Sequence, residues 1–312
     1  MKNQESPARE NTSRRRGYTP RHLKAEPVQK KRKVQNPRRI IFFALLSLCC
    51  VSAIGLGICF CMFSNENRQL EELADMVSQN IDILEYNPTD PESPTDSTDS
   101  TEPAAPIEPD SSTEPTTPAP PQMLPQYIQL YEQNSDLFGW LQIEDTRINY
   151  PVMHTPEDPE KYLLSNFSNK FSYNGLPFLD ADCTAQSDNL LIYGHNMPDG
   201  SMFRELTKYK DSKYWEQHPI IKLDTLYEQH EYEVMAVFQD RVYRTYDQVF
   251  KFYQFIDADS EEEFDTAITY FKNKQLYETN VDAQYGDHLL TLVTCDYHTD
   301  NGRFVLVARR IS

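Results

Sequence analysis

Residues 40–63, IIFFALLSLCCVSAIGLGICFCMF, are 24 consecutive positions without a charge. A helix of that length reaches roughly 36 Å at ~1.5 Å per residue, enough for a hydrocarbon core of about 30 Å. The run exceeds the ~7–15-residue apolar core of a cleaved signal peptide, and no small-x-small cleavage site follows it. A transmembrane helix in contact with lipid is therefore expected over 40–63. Lys30, Lys31, Arg32, Lys33, Arg38 and Arg39 precede it, whereas Arg68 is the only basic residue soon after it. Basic flanks stay inside. The expected protein is a single-pass protein of the cell membrane, with its N-terminus cytoplasmic and everything after about residue 64 extracellular.

Charge divides the chain in the same place. Residues 1–39 hold 13 Lys/Arg and 3 acidic residues, net +10, while the whole chain is −18. The remainder therefore carries −28. That balance excludes nucleic acid as the main partner of the exported part, because phosphate binding needs clustered positive charge. The basic tail has a second reading as an anionic-lipid or nucleic-acid segment, but topology accounts for it.

Beyond the span the composition changes twice. Residues 64–85 read as a short juxtamembrane stalk helix, with Leu70, Leu73, Val77 and Leu84 near a 3.5-residue period. Two heptads fall short of the ~3–4 that define a coiled coil, so a dimer is the lesser reading. Residues 86–122 contain ten prolines among Thr, Ser, Asp, Glu and Ala. Such a linker has no apolar face to bury, and at roughly 3.1 Å per residue it would reach ~115 Å. It is expected to hold the following domain away from the membrane.

Residues 123–312 are long enough for one domain with its own core. Their pattern gives helices at Tyr127–Phe138, Ser201–Gln217 and Ser260–Gln275. The last has a capping box of Ser260 and Glu263 and an apolar stripe of Phe264, Ile268 and Phe271. Strands are expected at Gly139–Glu144, Arg147–Met153, Leu176–Asp180, Asn189–Tyr193, Ile220–Asp224, Glu231–Gln239, His288–Cys295 and Arg303–Ile311. The fold class is mainly β, a barrel or sandwich with inserted helices. Four of six cysteines lie in the span, leaving Cys183 and Cys295. One disulfide between them is open, with a buried free thiol at Cys183 as the default.

Three residues end or begin apolar strands where a cleft can form. Cys295 closes LLTLVTC, His195 follows LLIY in YGHN, and Arg303 opens RFVLVARRI, eight residues after Cys295. Singly, each is more often structural. Together they supply a thiol nucleophile, a proton carrier and a fixed positive charge.

TLVTC, YGHN and the downstream Arg303 resemble the sortases, cysteine transpeptidases of Gram-positive surfaces. GWLQIEDTRINYPVM and LPFLD are similar to that family's early strands. NLLIYGHNMPDGSMFRELTKY and the helix at 260–275 resemble its class B branch. The resemblance implies an eight-stranded β-barrel and a reaction at a C-terminal sorting signal of secreted proteins. In that reaction Cys295 attacks the signal's backbone carbonyl, His195 acts as general acid and base, and Arg303 binds substrate or the developing oxyanion. Thr294 shapes the oxyanion site through its backbone. The thioester passes to an amine of a peptidoglycan precursor or of a pilin, the first giving surface protein anchoring to the cell wall. No segment resembles the lid of pilin-polymerising enzymes, which lowers the pilus reading. By the same resemblance, the region from 260 to His288 forms one wall of the signal groove. A cysteine endopeptidase using water as acceptor is an alternative, and a non-enzymatic adhesin on a Pro-rich stalk is a further one. No cofactor and no metal are expected.

Overall fold

The computed structural model describes residues 37–85 and 121–312. The basic tail and the Pro-rich linker that the sequence delimits lie outside the described residues apart from their last few positions. The described chain divides into two compact units at Leu56/Gly57.

The first unit contains the start of α1, a helix over Pro37–Glu85 that covers both the expected span and the expected stalk without a break. From Ile41 to Phe60 its described large apolar side chains are 48–75% exposed. Among the described residues, no helix is long and apolar enough to cross a membrane. The side chains of residues 40, 43, 44, 59, 62 and 63, six of the 24 in the expected span, lie outside them.

The second unit is a closed eight-stranded barrel with flanking helices. Its strands are β1 (Leu137–Gln142), β2 (Asn149–Met153), β3 (Phe178–Leu179), β4 (Asn189–Tyr193), β5 (Ile220–Thr225), β6 (Gln229–Arg241), β7 (Leu289–Cys295) and β8 (Gly302–Arg310). They close in the order β1-β2-β3-β4-β7-β8-β6-β5. Closure removes the free sheet edges that short strands would otherwise expose. The β4–β7 and β2–β3 pairs are parallel and the rest antiparallel. Nearly every residue of β7 and of the centre of β8 is buried, so these strands read as continuous apolar runs rather than alternating ones.

Two helices differ from their expected bounds. α2 runs Pro125–Gln133 and stops at Asn134, whose backbone is extended. Its amide side chain leaves the helix to donate to Tyr162 Oη and Phe167 O at 2.7 and 2.8 Å. Of the residues expected to continue the helix to Phe138, Leu137 and Phe138 instead open β1. Ser201–Gln217 is a 3-10 segment, Phe203–Lys210, followed by a short α3, Ser212–Gln217. Asp211 restarts the helix there by accepting from the Lys213 amide at 3.0 Å. α4 (Glu261–Lys274) forms as expected and buries Phe264, Ala267, Ile268 and Phe271. Ser260 caps it from Glu263, while the Glu263 carboxylate reaches the Asp259 amide rather than that of Ser260.

The second half of α1 is no free-standing stalk. Leu73 and Val77 are buried in one apolar cluster with Tyr127, Trp140, Tyr162, Phe167 and Leu176. Their 3.5-residue spacing marks a face that packs on the barrel's flank. In sequence the linker then joins two parts of the same unit, the second half of α1 and α2. Its reach sets no distance between this unit and a membrane. Cys183 and Cys295 are both free, so the open disulfide is not formed. Burial pushes the Cys183 thiol up to about 12.

Candidate active site

The register of three strands assembles the site. In the β7–β8 hairpin Cys295 is directly opposite Arg303. Paired residues of an antiparallel ladder share a face, so both side chains leave the sheet on one side. On the other flank β4 and β7 run parallel, with Tyr193 opposite Val293. The ladder continues one step further, the Gly194 amide donating to Val293 O at 3.0 Å. His195 therefore emerges beside the end of β7. A cleft of about 380 Å³ takes in Tyr193, Gly194, His195, Val293, Thr294, Cys295 and Arg303, with Pro159, Glu160, Leu163, Phe178, Asp180 and Ala181 as its other walls. The expected wall from 260 to His288 contributes no residue to this cleft.

His195 and its two neighbours in the chain are fixed by five contacts. Its Nε2 lies 2.8 Å from the carbonyl of Leu163. A carbonyl only accepts, so Nε2 carries a proton, and in the tautomer this selects Nδ1 is the basic nitrogen. Its own carbonyl accepts from the Phe203 amide at 2.8 Å. Before it, Gly194 is pressed on the Phe203 ring, which a Cβ would meet at 2.6 Å. After it, Asn196 Nδ2 donates to Cys295 O at 2.7 Å, and Asn196 Oδ1 accepts from Arg204 at 3.0 Å. Asn196 ties the strand of the histidine to the strand of the cysteine. It lay within the YGHN motif, yet as an amide it carried no chemistry that singled it out.

Thr294 is 2% exposed, and its hydroxyl donates to Gly194 O at 2.7 Å. Asp296 N bonds Gly302 O. The alternation of an antiparallel ladder then pairs the Thr294 amide with Phe304. Its visible work is to hold the β4 and β7 ends together.

The charges are divided by side. Arg303 donates to Gly302 O at 3.0 Å, which folds its guanidinium back over the hairpin at the cleft rim. Tyr193 donates to Asp180 at 3.0 Å. Burial and the Asp180 charge hold the tyrosine firmly protonated, against the opposing pull of Arg303. Behind the cysteine, Asp296 is 8% exposed and accepts from Gln239 at 2.7 Å and Lys210 at 2.8 Å. Burial raises its carboxyl, but these two donors outweigh burial and hold it below the usual range. Its carboxylate is committed to that anchor. Among the described residues no group of three or more His, Cys, Asp or Glu is placed to hold a metal ion.

The comparisons with known proteins agree with this geometry. The sortase domain family matches residues 141–311. Sortase B of Listeria monocytogenes is 33% identical over 189 residues, 59% of this chain and 73% of the relative. Sortase B of Staphylococcus aureus is 26% identical over 191 residues, 60% of this chain and 75% of the relative. Among solved structures, sortase B from Bacillus anthracis superposes with a TM-score of 0.60 at 25% identity, covering 81% of this chain and 99% of that one. A Staphylococcus aureus sortase B–substrate complex gives 0.62 at 21% identity over the same shares, a likeness of fold.

Proposed function

The chain belongs to the sortase family and is a class B cysteine transpeptidase, and on that premise we propose that Cys295, His195 and Arg303 carry its chemistry at a C-terminal sorting signal of secreted proteins. The observation that carries this reading is the strand register that puts Cys295 opposite Arg303 and His195 beside the end of β7.

His195 Nδ1 takes the Cys295 thiol proton as Sγ attacks the scissile carbonyl carbon. The carbonyl π electrons move to oxygen, and Arg303 donates hydrogen bonds to that oxygen or to the adjacent substrate backbone. Collapse breaks the C–N bond, and His195 protonates the departing amine. A thioester remains on Cys295. An incoming amine attacks it, His195 takes up the proton of that amine, and the thiolate leaves. Peptidoglycan precursors are the favoured amine source, which makes the outcome surface protein anchoring.

The reading extends to the membrane. Residues 40–63 cross the bilayer, with 1–39 cytoplasmic and the catalytic unit outside. Supporting this are the chargeless run, the exposure of its described apolar side chains, and the +10 charge of the preceding segment.

The test uses the full-length chain in detergent with sorting-signal peptides, with and without amine acceptors, and mass spectrometry of the products. Wild type should give a ligated product. Cys295→Ala and His195→Ala should give none, and Arg303→Ala a small fraction. Retained turnover by Cys295→Ala refutes the assignment. Hydrolysis that no amine diverts makes the enzyme a peptidase. Protease shaving of intact cells should remove the catalytic unit and spare an epitope placed within 1–39.

A further inference from the structure

The segment Glu160–Leu176 does more than line the cleft. Leu163, at its start, lends its backbone carbonyl to His195 Nε2 at 2.8 Å. Three independent restraints fix where that carbonyl sits. Tyr162 next to it is fully buried, its hydroxyl accepting from Asn134 at 2.7 Å and donating to Asp136 at 2.8 Å. Gly175 crosses directly behind with φ +57°, and a Cβ there would lie 2.5 Å from Tyr162 O and 2.6 Å from Leu163 O. The far side of the segment is covered by α1. Leu70 and Leu73 enclose with Phe167, Asn174 and Leu176 a cavity of only about 20 Å³, room for roughly one water. Both amide atoms of Asn174, which is 1% exposed, and Glu66 Oε2 are unpartnered there, the chemistry such a water would satisfy.

We propose that Leu163 is a positioning residue for the reaction, its carbonyl holding His195 in the Nε2–H tautomer with Nδ1 toward chemistry, and that the second half of α1 braces it in place. A neutral imidazole has one proton, and the two ring nitrogens are chemically distinct only when something selects between them. Here the acceptor that selects is a main-chain carbonyl, and among the described residues no carboxylate is bonded to the ring. The helix that enters this unit from the apolar run is thus continuous with the support of the catalytic histidine. This inference rests on the catalytic reading of His195 given above.

Four variants of the full-length chain in detergent test it. Gly175→Ala drives a Cβ into the Leu163 carbonyl. Replacing Leu164 by its α-hydroxy acid turns the 163–164 peptide into an ester, whose carbonyl is a weaker acceptor, and leaves every side chain intact. Leu73→Ala loosens the brace. The readouts are the ¹⁵N shifts of the His195 ring, and kcat and KM for transpeptidation. In wild type the ring should show the Nε2–H pattern. In the ester and Gly175→Ala variants the tautomers should mix. There kcat should fall about tenfold, the scale of one lost hydrogen bond, with KM within about twofold. Leu73→Ala should shift both readouts in the same direction by less. Leu73→Met should restore them. An ester variant with an unmixed Nε2–H ring and wild-type kcat overturns the proposal, whether or not Gly175→Ala folds. Leu73→Ala with unchanged shifts and kcat removes α1 from it. Activity in His195→Ala instead refutes the catalytic reading, and the ring shifts then still report whether Leu163 orients the imidazole.

Discussion

Thr294→Val separates a structural hydroxyl from a merely apolar position beside the nucleophile. Valine has nearly the shape of threonine, so the change removes one O–H and little volume. Thr294 is 2% exposed, and its O–H donates to Gly194 O at 2.7 Å. Losing it strips the half-buried Gly194 carbonyl of that donor, which costs about 1–3 kcal/mol. For a domain of this size each 1 kcal/mol lowers Tm by about 2–4 °C, so a fall of roughly 4–8 °C is expected at the middle of that range. The catalytic effect follows from position. Gly194 and Thr294 are the last tie between β4 and β7 before His195 and Cys295, and a displacement of about 1 Å between reacting groups can cost up to a hundredfold. An approximately tenfold loss of kcat is expected. Thr294→Ser keeps the hydroxyl and should recover most of the rate, at a cost of about 1 kcal/mol for the lost methyl. Scanning fluorimetry and transpeptidation kinetics on the three proteins decide the matter. Wild-type Tm and kcat in the valine variant refute the argument. Equal damage in serine and valine assigns the effect to the methyl group and refutes the hydrogen bond.

Other expectations follow from the same geometry. Asn196→Ala should lower kcat/KM about tenfold in the peptide assay while sparing the circular-dichroism spectrum, because it frees the Cys295 carbonyl from its 2.7 Å donor. Asp296→Asn tests the buried anchor behind the nucleophile. The folded carboxyl titrates below its unfolded value of about 3.9, so its stabilisation is fully present above that value and is lost as pH falls through the folded pKa. The variant should be less stable than wild type at pH 7, and the gap in Tm should close below about pH 4; a gap independent of pH counts against the ion-pair account. Cys183, buried and pushed up to about 12, should resist iodoacetamide at pH 8 in the folded protein while Cys295 is alkylated, as peptide mapping would show.

What the sequence disclosed and what it withheld follow a physical division. Local pattern suffices where one strand or one cap decides the outcome. Asn189–Tyr193 and the α4 cap are examples, and the eight-residue spacing of Cys295 and Arg303 is explained by a hairpin that puts them opposite each other. The period of Leu70, Leu73 and Val77 was equally visible. A heptad-like stripe, however, states only that a face must be covered, and here the cover is the barrel flank rather than a second chain. The linker misled for a related reason. Its composition predicts reach, but reach separates two bodies only when its ends belong to different ones, and the second half of α1 and α2 belong to the same unit. The supports of the site were the least legible. Asn134, Leu163, Gly175 and Asn196 act through backbone carbonyls, a missing Cβ or an amide, at separations from the groups they serve that reach about a hundred residues. No residue-type signal marks a main-chain carbonyl as an acceptor for a histidine. A motif can therefore name the groups that react, but only closure of the barrel, which sets β4 beside β7 and wraps the 160–176 segment against His195, determines which nitrogen of that ring is left free to act.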